Sequence, residues 1–321
     1  MKKKIIILSG DPNSINSEII FKSWKKISSS VKKNIYIISN YKLLKAQIKK
    51  LKLKINITQV SGIEEIVKNN DLKVININLK FINPFKVSQK EASEFVIKSL
   101  NMAHKYGLNK NVKGIINCAI NKNLLKKKKA GVTEFLASKC KVKNNSEVML
   151  IWNKNLSVCP ITTHIDIKDI TKKLNIDKIV NKIKTINNWF KKEFNKQPRI
   201  AILGLNPHNS ELRNNSEEKK IIIPAIKKLK KFKIKCEGPL VADIAFIKEY
   251  KKFDTIVGMY HDQVLSPYKT IFKFNAINIT LGLKYLRVSP DHGVAINLIG
   301  KNIADASSLI KCIQFVNKHY K

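Results

Sequence analysis

Short apolar segments alternating with amphipathic stretches constrain this chain more than any other feature of its sequence. Residues 5–9, 35–38, 74–79 and 114–118 are strand-like, each bounded by polar or turn residues, and residues 148–152, 199–203, 255–259 and 276–281 continue the series. Amphipathic segments separate them. The clearest begins at Ser88 and Glu91, a capping-box pair, carries the apolar stripe Ala92, Phe95, Val96, Leu100 and Ala103, and stops at Gly107. Helices are also expected over about 177–194 and 306–319. This alternation predicts an α/β fold with mostly parallel sheets and helices on both faces. Ligands in such folds bind at the carboxyl ends of strands, so residues that follow strand-like segments are where chemistry is expected.

At 321 residues and 44% apolar content the chain can fill one large or two medium cores. The expected division is an α/β subdomain over 1–125, joined by the C-terminal segment 295–321, and a second over 126–294 that carries the chemistry. The apolar stretch 5–8 behind Met1-Lys2-Lys3-Lys4 is too short for a secretory signal, and no run of eighteen apolar residues occurs, so a cytoplasmic protein with no membrane partner is expected. Cys118, Cys140, Cys159, Cys236 and Cys312 lack paired spacing and read as small buried hydrophobes in a reducing compartment. The Lys-rich segment 121–129 and the polar segment 214–220 are expected to be mobile loops.

A net charge of +39 raises a reading of another class, a basic nucleic-acid-binding protein. Of 62 basic residues, however, only Arg199, Arg213 and Arg287 are arginine, and lysine is spread from end to end with asparagine and isoleucine. The densest run, Lys126 to Lys129, has no aromatic residue on which a base could stack. The charge fits attraction of anionic substrates better than a dedicated nucleic-acid surface.

Only six histidines occur, and three share a setting. His164 in Ile161-Thr162-Thr163-His164, His208 in Gly204-Leu205-Asn206-Pro207-His208 and His261 in Met259-Tyr260-His261-Asp262-Gln263 each follow an apolar segment or a turn. Each alone reads as a hydrogen-bonded structural residue. Three such imidazoles at loop positions, if they converge, would make a divalent metal site with open positions, with Asp243 and Asp262 as ligands or orienting groups. Lys269, Asn278 and Arg287 follow closely and suit an anionic substrate tail, Arg287 with a fork matched to phosphate. Gly10-Asp11-Pro12 resembles the opening of a nucleotide-binding turn, but no G-x-G-x-x-G follows. Gly282, Asp291, His292 and Gly293 are the weak alternative for contact with a cofactor. His104 and His319 are expected to be structural.

Together these motifs resemble the 4-hydroxythreonine-4-phosphate dehydrogenase family over nearly the whole chain. The match runs from Ser9-Gly10-Asp11-Pro12 through Ile120-Asn121-Lys122, Thr133-Glu134-Phe135-Leu136, Thr162-Thr163-His164, Gly204 to His208, Gly238-Pro239-Leu240 with Asp243, and Met259 to Gln263. It ends in Asn278-Ile279-Thr280-Leu281-Gly282-Leu283 and Asp291-His292-Gly293. The resemblance implies two α/β/α subdomains flanking a cleft, similar to isocitrate and isopropylmalate dehydrogenases, in a homodimer. It implies a divalent metal (zinc, magnesium or cobalt) on His164, His208 and His261, contributed across the dimer interface and kept intact by Asp243 and Asp262. It further implies a phosphorylated substrate on Thr133, Lys269, Asn278 and Arg287, and oxidation of that substrate by NAD or NADP with loss of CO2, in pyridoxal phosphate biosynthesis.

The chain departs from the family pattern at four places. Val132 stands where a substrate-binding histidine is usual, Asn117-Cys118-Ala119 replaces Thr-Gly-Pro, and glycines are missing after Asp11-Pro12 and after His208. The alternative substrate that these departures admit is a related phosphorylated hydroxy acid, 4-phospho-threonate or 4-phospho-erythronate.

Overall fold

The computed structural model describes residues 3–67, 69–125, 131–143 and 146–319. The charge run Lys126 to Lys129 lies outside the described residues. The chain divides into two compact units, 1–140 with 284–321, and 141–283.

The first unit contains β1 (Lys4–Leu8), β2 (Ile35–Ser39), β3 (Ile57–Val60), β4 (Leu72–Asn76), β5 (Val112–Asn117) and, from the C-terminal segment, β12 (Arg287–Pro290). They lie in the order β3, β4, β2, β1, β5, β12, all parallel. Parallel strands covered on both faces need continuous apolar runs rather than alternation, and β2, Ile-Tyr-Ile-Ile-Ser, is buried at every position. The helix Gln89–Gly107 buries the expected stripe of Ala92, Phe95, Val96, Leu100 and Ala103, and the two largest of these side chains contribute about 2 kcal/mol each by burial. Only half of its expected capping box forms. Ser88 Oγ accepts from the Glu91 amide at 3.4 Å, while the Glu91 carboxylate turns to the amide of Lys80.

The second unit contains β6 (Val148–Trp152), β7 (Ser157–Pro160), β8 (Ile200–Leu203), β9 (Cys236–Leu240), β10 (Thr255–Gly258) and β11 (Ile277–Leu281). Their order is β11, β6, β7, β10, β8, β9. β6 runs antiparallel to both neighbours, and the rest of the unit is parallel. Helix Ile176–Phe194 opens on Asn175, whose side chain accepts from the Lys178 amide at 2.8 Å, and closes on left-handed Asn195.

All five cysteines are buried and unpaired, with the Cys118 and Cys159 thiols pushed up to about 12 by burial. His104 has a structural partner, the Tyr285 hydroxyl at 3.0 Å. The expected loop over 214–220 is instead the entrance to a helix. Glu218–Ile222 forms a π-turn that runs into helix Ile223–Lys231, and Glu218 is fully buried with backbone amides stabilising its ionised carboxylate. Among the described residues no helix is long and apolar enough to cross a membrane.

Candidate active site

In the second unit the three histidines follow three adjacent parallel strands. His164 comes after β7, His261 after β10 and His208 after β8, and Asp243 follows the next strand, β9. Adjacent strands lie roughly 4.8 Å apart, so the topology sets these residues along one row of strand ends. Met259 at the end of β10 anchors the His164 loop, because its carbonyl accepts from both the Thr162 amide (3.1 Å) and the Thr162 hydroxyl (2.7 Å). The His164 and His261 rings come to 5.9 Å between centroids. Two imidazoles sharing an ion through bonds of about 2.1 Å have centroids roughly 5–6 Å apart, so the pair stands at a ligating separation.

His261 is not in a loop, as expected, but is the first residue of helix His261–Phe272, which opens on extended Tyr260. Its Nδ1 lies 2.6 Å from Asp262 Oδ1. That contact puts the ring proton on Nδ1 and leaves the Nε2 lone pair for a ligand, the orienting arrangement common around metal-bound histidine. The donor chemistry therefore fits a divalent ion at His164 and His261. His208 does not complete the set within one chain, since among the described residues no three His, Cys, Asp or Glu side chains gather closely enough to hold an ion. Asp243 is exposed.

His208 lies in an unusual turn. From His208 to Leu212 five consecutive residues have φ between +49° and +57°, and none is glycine. L-residues pay about 1–2 kcal/mol each for this conformation. Side chains hold the turn in place. Glu218 accepts from the Leu205 and Asn206 amides, both at 2.8 Å, and Asn209 Nδ2 donates to the Pro239 carbonyl at 3.0 Å. Burial alone would raise the Glu218 carboxyl; the Asn206 and Leu205 donors outweigh it and hold the group below the usual carboxylate range. Ser210→Gly is expected to relieve the strain and stabilise the fold by about 1 kcal/mol, a Tm rise of roughly 2 °C. Ser138→Gly, in the right-handed helix Val132–Lys139, should lower Tm instead. A fall in Tm for both variants would contradict the strain.

Lys269 and Asn278 also belong to the second unit. Lys269 Nζ lies 5.7 Å from the Phe274 ring centre. Asn278, on β11, has a buried side-chain oxygen with no hydrogen-bond partner, an unusual cost that a ligand donor would remove.

Thr133 and Arg287 meet in the first unit. Arg287 opens β12 and is 3% exposed. Its Nε donates to Asn117 Oδ1 at the end of β5, and its Nη1 lies 3.5 Å from Thr133 Oγ1 near the start of helix Val132–Lys139, where Glu134 accepts from the Gly131 amide. Burial pulls the guanidinium down to about 10. A charge disfavoured in this way gains from a nearby anion. Asn117 is a member of this cluster that the sequence marked only as a departure from the family's Thr-Gly-Pro and not as a partner of Arg287.

The Asp11 carboxylate turns inward. Its two oxygens accept from the Asn13 amide (2.8 Å) and the Asn121 amide (3.3 Å), and burial raises its pKa, so it ties two loops together and is not presented to a cofactor. At the end of β12, His292 Nδ1 lies 2.9 Å from the Gly293 carbonyl, and its Nε2 is buried without a partner. Burial also lowers its pKa, which favours the neutral ring. Gly293 has open space where a side chain would stand. Asp291 follows β12 in the same unit, whereas Gly282 follows β11 in the other.

Comparison with known proteins gives the family and the fold. Residues 31–316 match the family model described as pyridoxal phosphate biosynthetic protein PdxA. A 4-hydroxythreonine-4-phosphate dehydrogenase of Sulfurihydrogenibium sp. (strain YO3AOP1) is 40% identical, covering 97% of this chain and 96% of its own length. One from Aquifex aeolicus (strain VF5) is 35% identical over 98% of each. The crystal structure of 4-hydroxythreonine-4-phosphate dehydrogenase from Klebsiella pneumoniae has the same fold, with a TM-score of 0.85 at 26% identity over 98% of both chains. The chain belongs to the PdxA family of pyridoxal phosphate biosynthetic proteins.

Proposed function

We propose that this chain oxidises 4-hydroxythreonine 4-phosphate at its C3 hydroxyl to 2-amino-3-oxo-4-phosphooxybutanoate, a β-keto acid that loses CO2 to give 3-amino-2-oxopropyl phosphate. The observation that carries the reading is the row of His164, His261 and His208 on adjacent strand ends, with Asp262 holding His261 in the ligating tautomer. The names of the full-length relatives point to the same substrate.

The side chains divide the work. Arg287, aligned by Asn117 and accompanied by Thr133, binds the phosphate. Lys269 adds positive charge, and the Asn278 oxygen accepts from a substrate donor. His164, His261 and His208 hold a divalent ion (zinc, magnesium or cobalt), with Asp262 and Asp243 supporting them. When bound, the ion would acidify the substrate hydroxyl and NAD or NADP would accept the hydride. His292 and Gly293, with Asp291 or Gly282, are the cofactor contacts. One copy brings two imidazoles into ligating range, which supports a homodimer in which a second copy completes the ligand set.

The test is NADH formation from 4-hydroxythreonine 4-phosphate with added Zn2+, Mg2+ or Co2+, run beside 4-phospho-threonate and 4-phospho-erythronate. Turnover of the amino acid substrate, lost with a chelator and restored by metal, is expected. Higher kcat/KM for the acids lacking the amino group would reassign the substrate. No turnover of any of the three would reject the reading.

A further inference from the structure

Close to the histidines, Gln263 bonds to two different strand ends through the two ends of its amide. It is the third residue of helix His261–Phe272. Its Oε1 accepts from the Met259 amide at 2.6 Å, and its Nε2 donates to the Gly204 carbonyl at 2.7 Å, 59 positions away in sequence. The first bond resembles the reach of a capping-box glutamine back to its cap, displaced by one residue from Tyr260 to Met259. The second is not local. It runs from the end of β10 to the end of β8, four residues before His208.

The surroundings show that this contact is built closely. A Cβ on Gly258 would lie 2.8 Å from Gln263 Oε1 and 2.5 Å from Val264, and one on Gly204 would lie 1.9 Å from Asn209 Oδ1. Both glycines are therefore sites of close approach between the strand ends and the side chains packed on them. Met259 is the hub. Its carbonyl takes Thr162 from the His164 loop, its amide goes to Gln263, and Gln263 reaches the His208 loop. The backbone beyond Gly204 needs such an anchor, because it continues into the left-handed turn at His208 to Leu212.

We propose that Gln263 is a positioning residue that locks the His208 loop to the His261 helix and, through Met259, to the His164 loop, thereby fixing where the three imidazoles stand. Its effect on metal binding rests on the function proposed above; the lock itself does not. Pairing two substitutions separates its two bonds. Gln263→Leu removes both at similar volume. Gln263→Glu keeps an acceptor for Met259 and, ionised, has no proton to donate to Gly204.

Amide hydrogen exchange on the metal-free full chain reads the lock directly. Both variants are expected to speed exchange over residues 204–212 by about fivefold or more, the loss of one net hydrogen bond. Only Gln263→Leu should deprotect the Met259 amide, a split that a general loss of stability does not produce. Unchanged exchange over 204–212 in both variants, or equal loss at Met259 in both, would overturn the proposal. A Co2+ titration followed by visible absorption then reads the consequence, with affinity weakened roughly 10-fold or more in each variant, the size typical of groups that orient ligands. Affinity within twofold of wild type would overturn the positioning of the imidazoles. If the wild-type chain takes up no Co2+, the metal assignment fails, and the exchange result alone decides the lock.

Discussion

Replacing Arg287 with lysine is expected to lower kcat/KM for the phosphorylated substrate by about 10²–10³, most of it through KM. Arg287 is buried, its Nε is committed to Asn117, and its Nη1 points towards Thr133, so the guanidinium is held in one orientation by the ends of β5 and of a short helix. A lysine keeps the charge but loses the planar fork and its paired donors to phosphate. Charge-assisted hydrogen bonds of this kind are worth about 1.5–3 kcal/mol each, so losing one or two accounts for the expected factor. Arg287→Met should bind still more weakly. In its folded state the relief of the guanidinium's desolvation cost is offset by the loss of the donor to buried Asn117 Oδ1, so stability should change little. Inorganic phosphate provides the control: it should inhibit the wild type competitively and Arg287→Met hardly at all. A normal KM with reduced kcat in Arg287→Lys would move Arg287 out of phosphate binding and into the chemical step.

The placement of Arg287 also shows what could be read from the sequence. β1, β2, β4 and β5 were readable because strands buried on both faces are built around a continuous apolar run, and each such run stands between polar residues. β12 was not, since Arg-Val-Ser-Pro opens with a charge that only tertiary structure shelters. β3, Ile-Thr-Gln-Val, lies at the sheet edge and is too polar and short to stand out. Helix His261–Phe272 was hidden by Pro267, which cannot supply the amide that would bond the Gln263 carbonyl. That defect ordinarily costs about 3 kcal/mol, and burial of Val264, Leu265 and Tyr268 offsets it. The segment 214–220 looked like a loop from its polarity, yet Glu218 is polar because backbone amides at 205 and 206 require an acceptor. The histidines could be recognised one by one, but not as neighbours. Their adjacency depends on β7 lying beside β10, and β10 beside β8, pairings between segments far apart in sequence that no local pattern encodes.

That adjacency leads to the other large effect. His261→Ala and His164→Ala are each expected to lower NAD reduction by at least 10³-fold and to abolish the visible spectrum of the Co2+-loaded protein. The double variant should be no worse than either single one. Under the proposed metal site non-additivity follows, because two imidazoles 5.9 Å apart would share one ion and removing either would leave it without its ligand set. Asp262→Asn provides an intermediate case. The side chain can still accept from Nδ1 but no longer carries the charge that strengthens the bond, so Co2+ affinity should fall about 10–100-fold while saturating metal restores most of the turnover. Rescue of that kind separates an orienting carboxylate from a ligand or a proton carrier, neither of which excess metal would replace. Independent, multiplicative losses in the His164→Ala and His261→Ala pair would mean that the two rings do different jobs, and the shared ion would then have to be abandoned.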